Sequence, residues 1–380
     1  MAAVAVGACA LVVVLSVFNG LEEFVRTLYS SFDPEIKIEA ASGKSFEITE
    51  GFIDSLKNVE GVDIVTQVVE DNVYVRFRDS ETVATLKGVE ANFLNQNRLD
   101  RALVQGEMIL QEKGVNYAII GQGVQYKLSI PANNSLYLME IFYPRRDRLT
   151  AADPSSLVNR RLIMPAGVFE IEKQYDLNYI FVPLDFAVDL FDYGSRRTSL
   201  EIKTKEGYNI QRVKASIQKL LGPEYRALDS DEQHSGLLKV LKIEKFFVLI
   251  TFSFIIAVAS FNILFSLTML AIEKKKDISI LYSMGATNRF IRSIFIKEGA
   301  IISLSGAFIG LALGLIIVAI QKTFGVVSMG MVTSALDAYP VKIVVSDFIY
   351  IAFIIILITL LASYRPATIA SKYNDWKNLK

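Results

Sequence analysis

The sequence predicts a membrane protein in which an α+β domain is inserted after the first of four transmembrane α-helices. The 380 residues are 52% hydrophobic with a mean hydropathy of +0.37, which is high for a water-soluble domain. Charged residues are absent from four stretches: 1–21, 246–272, 299–321 and 348–364. Each is about as long as the helix that a bilayer core requires, about 20 residues. Residues 22–245 have ordinary polarity and form the inserted domain.

The distribution of charge excludes one class of partner and predicts the topology. Forty Lys and Arg residues oppose forty Asp and Glu residues, so no excess of basic charge points to a nucleic acid. The loop 273–298 and the tail 365–380 each carry a net charge of +3, whereas 322–347 is neutral. Because short basic loops remain in the cytoplasm, we expect the loop and the tail inside. Residues 22–245 and 322–347 then lie outside.

The first span, 1–21, is expected to be truncated at its start. Met1 is directly followed by an apolar stretch that is predicted to be helical. No Lys or Arg precedes Arg26, so the basic region of a signal peptide is missing. We therefore expect further residues before Met1 in the natural protein. Cys9 is the only cysteine, which excludes a disulfide within this chain.

The inserted domain is predicted to mix strands and helices. Alternation of apolar residues indicates strands, and a helical period indicates helices. The predicted strands are 35–40, 72–78, 82–89, 136–142, 161–172 and 199–203, with a strand followed by a helix within 107–127. The predicted helices are 48–56, 185–191 and 211–221. This interleaving predicts an α+β fold with room for two subdomains.

Residues 143–160 lie between two predicted strands and are expected to form the tip of a long hairpin. The notable residues of this segment are Pro144, Arg145, Arg146, Arg148 and Pro154. The three arginines are suited to an acidic partner, and the alternative is a solvated loop.

Polar and small residues mark two faces within the membrane segments. Asn262 lies near the middle of the second span, where it either joins helices or lines a cavity or dimer seam. Gly306, Gly310 and Gly314 recur every four residues in the third span, which predicts a close helix-packing face. The four stretches contain no ionisable side chain of the kind that ion-coupled transporters use, which argues against that class.

The sequence offers no catalytic, cofactor-binding or metal-binding constellation. Ser42-Gly43-Lys44-Ser45 resembles the end of a phosphate-binding loop, but Ile38 stands where the first glycine of that motif is needed. His234 is the single histidine, and its polar surroundings predict a solvated linker residue.

The cytoplasmic loop carries the most specific pattern, since it begins EKKKDISILYSMGAT. Ile278, Leu281 and Met284 recur at about one helical turn, which predicts a short amphipathic helix. Gly285 is suited to end this helix, and Thr287 is suited to cap the next one. The helix could enter a groove on a cytosolic partner or rest on the membrane surface.

The order of these elements, together with four motifs, resembles the permeases of type VII ABC transporters, which include FtsX-like and MacB-like proteins. Within them the chain is similar to the lipoprotein-releasing permeases of the LolC/LolE type. The motifs are VVLSVFNG at 13–20, SFNI at 260–263, KDISILxxMGA at 276–286 and LASYxPA at 361–367. IIGxGV at 119–124 also resembles that family. The tail departs from the pattern because it lacks a second proline shortly after Pro366-Ala367.

The resemblance implies an FtsX-like permease architecture in the bacterial inner membrane, with a MacB-like periplasmic domain at 22–245. It implies that the loop contacts a cytosolic ATPase subunit through Lys276, Asp277, Ile278, Leu281, Met284 and Gly285. ATP and Mg would be bound by that partner, and this chain would be non-catalytic. The second span would line the cavity between two permease subunits, of which the second is an identical or different chain. The hairpin would dock a soluble lipoprotein carrier.

The expected function is that of a mechanotransmission subunit, which releases outer-membrane-directed lipoproteins from the inner membrane to a periplasmic carrier. Three alternatives stay open. The chain could be a MacB-like exporter permease for drugs or peptides, an FtsX-like activator of a cell-wall hydrolase, or a membrane-anchored binding protein without an ATPase.

Overall fold

The computed structural model describes residues 1–30, 32–96, 98–99, 102–131, 137–145, 158–328 and 338–372. The chain divides into two compact units. The membrane unit consists of Met1–Val25 and Gly236–Lys380, and the inserted unit consists of Arg26–Ser235. Of the predicted hairpin residues, Arg146, Arg148 and Pro154 lie outside the described residues.

The chain begins with α1 (Ala2–Ser30) and continues into the inserted unit. Within the described residues, that unit contains one sheet of eleven strands. Its strands are β1 (Ile36–Ala40), β3 (Val62–Phe77), β4 (Ser80–Val89), β5 (Leu103–Gly106), β6 (Gln111–Glu112), β7 (Val115–Gly121), β8 (Met139–Pro144), β9 (Val158–Phe169), β10 (Tyr179–Pro183), β12 (Ser199–Thr204) and β13 (Tyr225–Asp229). A separate small ladder pairs β2 (Phe46–Glu47) with β11 (Arg196–Arg197).

The sheet is mixed, and its order is β13-β1-β12-β3-β4-β10-β7-β9-β5. β6 pairs with β7, and β8 pairs with both β3 and β9. The pairs β10–β4 and β7–β9 are parallel. Short helices are interleaved with the strands: α2 (Glu50–Lys57), α3 (Gln122–Leu128), α4 (Lys173–Asp176), α5 (Leu184–Phe191), α6 (Ile210–Leu221) and α7 (Ser230–Gln233), with a 3₁₀ helix at Ala91–Gln96. This arrangement confirms the predicted α+β class.

Helix α6 shows how the local sequence selects an element and its packing. Val213, Ile217 and Leu221 recur every four residues and are the buried residues of this helix. They pack into a core with residues of β1, β12 and β13. The Asn209 side chain accepts hydrogen bonds from the amides of Gln211 and Arg212, which satisfies two free donors at the helix start.

The motif IIGxGV is explained by close packing at the turn between β7 and α3. A Cβ atom on Gly121 would lie 2.3 Å from the backbone oxygen of Asp176, and one on Gly123 would lie 2.6 Å from the Leu177 side chain. Because real Cβ atoms do not approach other atoms this closely, both positions require glycine. The motif therefore holds α3 against α4.

Asp176 lies buried beside this turn and gives the inserted unit a pH-dependent stability. Its Oδ1 atom accepts a hydrogen bond of 2.8 Å from the amide of Ile171. Burial raises the pKa of Asp176 to about 6, although the backbone amides of Ile171 and Glu172 oppose the rise. The folded state therefore holds this proton more tightly than the unfolded chain, whose aspartate pKa is about 3.9.

We expect the stability that Asp176 contributes to be complete below about pH 4 and to be lost as the pH rises through about 6. Asp176→Asn should therefore melt at a higher temperature than the wild type at pH 7.5, but not at pH 4. Thermal melting of the purified chain, followed by circular dichroism, tests this. Glu112→Gln on an exposed strand is the control. A variant that melts lower at both pH values would contradict the assignment.

Among the described residues, four helices are long and apolar enough to cross a membrane: α1, α8 (Ser235–Glu273), α10 (Asn288–Phe324) and α11 (Val345–Ala370). The short helix α9 (Lys275–Ser283) lies between α8 and α10. The long helices continue beyond the charge-free stretches. As a result, Lys245 and Asp347 lie inside helices near one end.

Candidate functional site

The loop 273–298 folds as the sequence predicts. Helix α9 ends at Ser283, and Gly285 takes a φ of +94°, a conformation that favours glycine. The Thr287 hydroxyl then accepts a hydrogen bond of 3.3 Å from the amide of Phe290 and caps α10. The short helix and both of its boundary residues are confirmed.

Ile278, which the resemblance assigns to the ATPase contact, is buried and anchors α9 within the chain. Ile278 is buried in a cluster formed by Ala271 of α8, Ile291 and Phe295 of α10, and Ala367 and Ala370 of α11. Ile278 therefore stabilises α9 within the chain, and it adds nothing to an exposed surface. One end of each of three long helices thus lies beside α9, and these ends are called the inner ends below.

The exposed apolar surface of α9 consists of Met284 and Ile280, which are 79% and 53% exposed. Leu281 is half-buried, whereas Lys276 and Gly285 are exposed. Asp277 is also exposed and pairs with Lys274 at 3.2 Å. The sequence analysis missed Ile280 because it followed a three-residue spacing. Residues 280 and 284 are four apart, and that spacing keeps two side chains on one helical face.

Two contacts connect α9 and α10 with the inner end of α11. The hydroxyl of Tyr282 donates a hydrogen bond of 2.8 Å to the backbone oxygen of Ser371. The Arg292 guanidinium lies 4.1 Å from the ring centre of Tyr364. A Cβ atom on Gly299 would lie 2.0 Å from the Ser363 hydroxyl, so α10 and α11 pack closely here. Residues of the LASYxPA motif therefore pack beside α9 and α10.

The three glycines of the third span lie against α1. A Cβ atom on Gly306 would lie 3.1 Å from the Met1 oxygen, one on Gly310 would lie 2.3 Å from the Ala5 oxygen, and one on Gly314 would lie 2.8 Å from the Val12 side chain. Helices α1 and α10 therefore approach closely along this row.

Asn262 is exposed on the surface of α8. It forms no hydrogen bond within the described part of the chain. Its neighbours Phe261 and Phe265 are 55% and 66% exposed. An amide inside a bilayer needs a hydrogen-bonding partner, and none of the other described helices supplies one.

A polar cluster joins α1, α8 and α11 at the ends that lie away from α9, which are called the outer ends below. The Asn19 amide donates a hydrogen bond of 2.6 Å to Asp347 Oδ2. Lys245 Nζ donates to Asn19 Oδ1 at 2.7 Å and lies 3.1 Å from Asp347 Oδ2. The sequence analysis missed this cluster, because its charged members border the charge-free stretches and belong to helices that are distant in sequence.

The base of the predicted hairpin is confirmed. Strands β8 and β9 pair in antiparallel register from Met139–Ile163 to Pro144–Val158. Arg145 follows β8 and donates a hydrogen bond to the Asn159 side chain.

The prediction for His234 is wrong, since this residue is not a solvated linker. Its ring stacks on Tyr29 with 3.7 Å between ring centres, and its Nε2 atom shares a hydrogen bond with Asp33. Asp33 also accepts a hydrogen bond of 3.2 Å from the Tyr175 hydroxyl. His234 thus ties the start of the inserted unit to its end. In the part of the chain that the structure describes, no cluster of His, Cys, Asp and Glu could hold a metal ion.

Two family models match the chain. The MacB-like periplasmic core domain matches residues 1–220, and the FtsX-like permease C-terminal region matches residues 249–374. The LolC transmembrane protein of the lipoprotein-releasing system of Buchnera aphidicola subsp. Schizaphis graminum is 26% identical over 84% of this chain and 77% of its own length. The corresponding LolE protein of Haemophilus influenzae is 24% identical over 97% of this chain and 90% of its own length.

A solved structure is also similar to part of the chain. The extracellular domain of the ABC-type transporter YknZ from Gram-positive bacteria covers 51% of this chain and 99% of its own, with 17% identity and a TM-score of 0.38.

Proposed function

Since the chain belongs to the MacB-like periplasmic core domain family and carries an FtsX-like permease C-terminal region, we propose that it is the permease subunit that releases outer-membrane-directed lipoproteins from the bacterial inner membrane to a periplasmic carrier. The observation that carries this proposal is the similarity, over 84% and 97% of the chain, to proteins named for a lipoprotein-releasing system.

An ATPase subunit is the proposed source of energy. Each buried CH₂ group stabilises a lipid anchor in a bilayer by about 0.8 kcal/mol, so extraction of acyl chains needs an energy source and an apolar receptor. The ATPase would bind ATP and Mg²⁺ and contact α9 through the exposed side chains of Ile280 and Met284. Because Ile278 fixes α9 among α8, α10 and α11, a displacement of α9 would move the inner ends of these helices.

A second permease subunit is the proposed partner for α8. Asn262 lies on an exposed face of α8 and finds no partner in the described part of the chain. A helix of a second subunit, identical or different, would supply a hydrogen bond to the amide and cover the neighbouring phenylalanines. The two subunits would then enclose a cavity for the lipid-linked cargo.

The test is reconstitution with the ATPase, the second permease and a lipoprotein in proteoliposomes. We expect ATP to transfer the lipoprotein to the soluble fraction only when the carrier is added. Arg145→Glu, at the base of the hairpin, should lower the release rate about tenfold, which corresponds to the loss of about 1.4 kcal/mol of carrier binding. Lys113→Glu is a matched control, because its side chain is 89% exposed in a turn away from the hairpin.

Two results would contradict the proposed release, and a third would contradict the role of the hairpin. An active complex that exports a drug or peptide but retains lipoproteins would identify a MacB-like exporter. Activation of a cell-wall hydrolase without release would identify an FtsX-like regulator. Release without any effect of Arg145→Glu would remove the hairpin from the carrier-binding surface.

A further inference from the structure

The polar cluster at the outer ends of α1, α8 and α11 has no part in the proposed contacts with the ATPase, the second subunit or the carrier. We propose that the Lys245–Asp347 ion pair is a releasable lock between α8 and α11, and that Asn19 retains the carboxylate when the lysine leaves. The assignment of this lock to a transport cycle rests on the proposed function.

The two charges of the lock are unequally buried. The Asp347 side chain is 10% exposed and Asn19 is buried, whereas the Lys245 side chain is 26% exposed. The ammonium group can therefore move into water, while the carboxylate stays in place. After this movement Asp347 keeps its hydrogen bond of 2.6 Å from Asn19. It also keeps its position in the first turn of α11, where the helix dipole stabilises a negative charge.

The surrounding contacts differ in how they hold each helix at this end. A Cβ atom on Gly20 would lie 2.2 Å from the backbone oxygen of Pro340, and the amide of Lys342 donates a hydrogen bond of 2.9 Å to the Ser16 oxygen. The segment before α11 is therefore held directly on the backbone of α1. The glycine row holds α10 on α1 as well. Helix α8 contacts α1 through side chains instead, since a Cβ atom on Gly7 would lie 3.0 Å from the Ile256 side chain. Release of Lys245 therefore removes the polar contact that holds the outer end of α8.

This arrangement gives the motif VVLSVFNG a physical role. Ser16 supplies a backbone acceptor, Asn19 orients the carboxylate, and Gly20 allows the segment before α11 to touch α1. These three residues make α1 the fixed support against which the lock closes.

The choice of charged residues favours a switch over a purely structural contact. Apolar side chains would fit the site, since Val341, Phe348 and Ile351 belong to the adjoining apolar cluster. Replacement of a buried ion pair by apolar residues of similar size is commonly neutral or stabilising, whereas removal of one partner leaves an unpaired buried charge. The two groups of an ion pair can also separate into water. Separation of an apolar contact exposes apolar surface to water and costs more free energy.

The experiment measures the distance between the outer ends of α8 and α11 in the assembled complex. Spin labels are placed at Ile243→Cys and Ile349→Cys, whose wild-type side chains are 45% and 64% exposed, in a Cys9→Ala background. One labelled subunit is used per complex in a nanodisc. Pulsed electron paramagnetic resonance then gives the distance without nucleotide and with ATP trapped on the ATPase.

We expect one short distance without nucleotide and a longer one with ATP in the otherwise wild-type complex. Lys245→Met should give the longer distance in both conditions and a lower melting temperature. Lys245→Met combined with Asp347→Leu should give the short distance in both conditions, a melting temperature no lower than that of the wild type, and release slowed about tenfold.

The control is Lys342→Met, which breaks the exposed Lys342–Glu23 pair at the same end of the unit and should behave as the wild type. A double variant with the wild-type distance change and release rate would overturn the lock, as would a wild-type distance that ATP leaves unchanged. If ATP changes the distance but no lipoprotein is released, the lock stands and the proposed cargo is wrong. If release occurs without a distance change, the proposed function stands and the lock is wrong.

Discussion

Met284→Asp is expected to abolish co-purification of the ATPase subunit with the chain from native membranes in mild detergent. Met284 is 79% exposed at the end of α9, and Ile280 lies one turn before it. In a complex, the aspartate would lose its hydration inside an apolar groove without gaining a partner. That cost is about 3 kcal/mol or more, which weakens binding at least about 100-fold.

Two control variants separate the apolar contact from a general effect of charge or misfolding. Met284→Leu keeps the apolar contact and should retain the ATPase. Ser283→Asp places the same charge on the neighbouring exposed position and should reduce binding far less. Ile278→Ala acts differently, because it removes a buried anchor and should lower the melting temperature of the membrane unit.

Equal recovery of the ATPase with Met284→Asp and with the wild type would show that α9 does not dock the ATPase through this face. Failure to recover any ATPase with the wild type would favour the membrane-anchored binding protein. The two outcomes are distinguishable in a single comparison of native membranes.

Glu201→Gln is expected to destabilise the inserted unit by about 3–5 kcal/mol, the usual effect of removing one partner from a buried ion pair. Glu201 is 1% exposed on β12 and pairs with Lys87 of β4 at 2.6 Å. The Arg98 guanidinium pairs with its other oxygen. Since β12 and β4 flank β3, the three charges connect strands across the middle of the sheet. The variant would leave two buried cations without a carboxylate.

Glu201 also gives the stability of the inserted unit a defined pH dependence. Burial alone would raise the pKa of Glu201, but Arg98 and Lys87 outweigh that effect and lower it to about 2. The stabilisation should therefore be complete above the ordinary glutamate pKa of about 4.3 and should be lost as the pH falls towards 2.

Unfolding by urea, followed by circular dichroism at pH 7 and at pH 3, measures both effects of Glu201→Gln. Glu112→Gln is the matched control, since Glu112 belongs to an exposed pair with Lys113, and it should change the free energy of unfolding by less than about 1 kcal/mol. A similarly small change for Glu201→Gln would contradict the assigned role of the buried pair.

The features that the sequence predicted depend on neighbours in the chain. The absence of charge located the four long helices, and the four-residue spacing in α6 and in the glycine row located two packing faces. The boundaries of α9 followed from Gly285 and Thr287, whose conformational preferences act within one turn.

The features that were missed depend on residues that are distant in the chain. Strand β13 contains none of the β-branched residues that are typical of strands, and its pairing with β1 determines its conformation. His234 meets Asp33, and Asn19 meets Lys245 and Asp347, only after the chain has folded back on itself. A periodic pattern in the sequence contains no information about such long-range contacts.

The position of β1 between β12 and β13 bears on how the chain is made. Ile36 pairs with Ile202 and with Asp229. Both neighbours of β1 in the sheet are therefore present only after roughly 190 further residues have been synthesised. At about 5–20 residues per second, this synthesis lasts roughly 10–40 s, during which the edges of the growing sheet are open to aggregation. Helix α8 begins at Ser235, a few residues after β13 ends. The last strand of the sheet and the next membrane helix therefore leave the ribosome one directly after the other, so closure of the sheet and insertion of α8 compete for the same interval of synthesis.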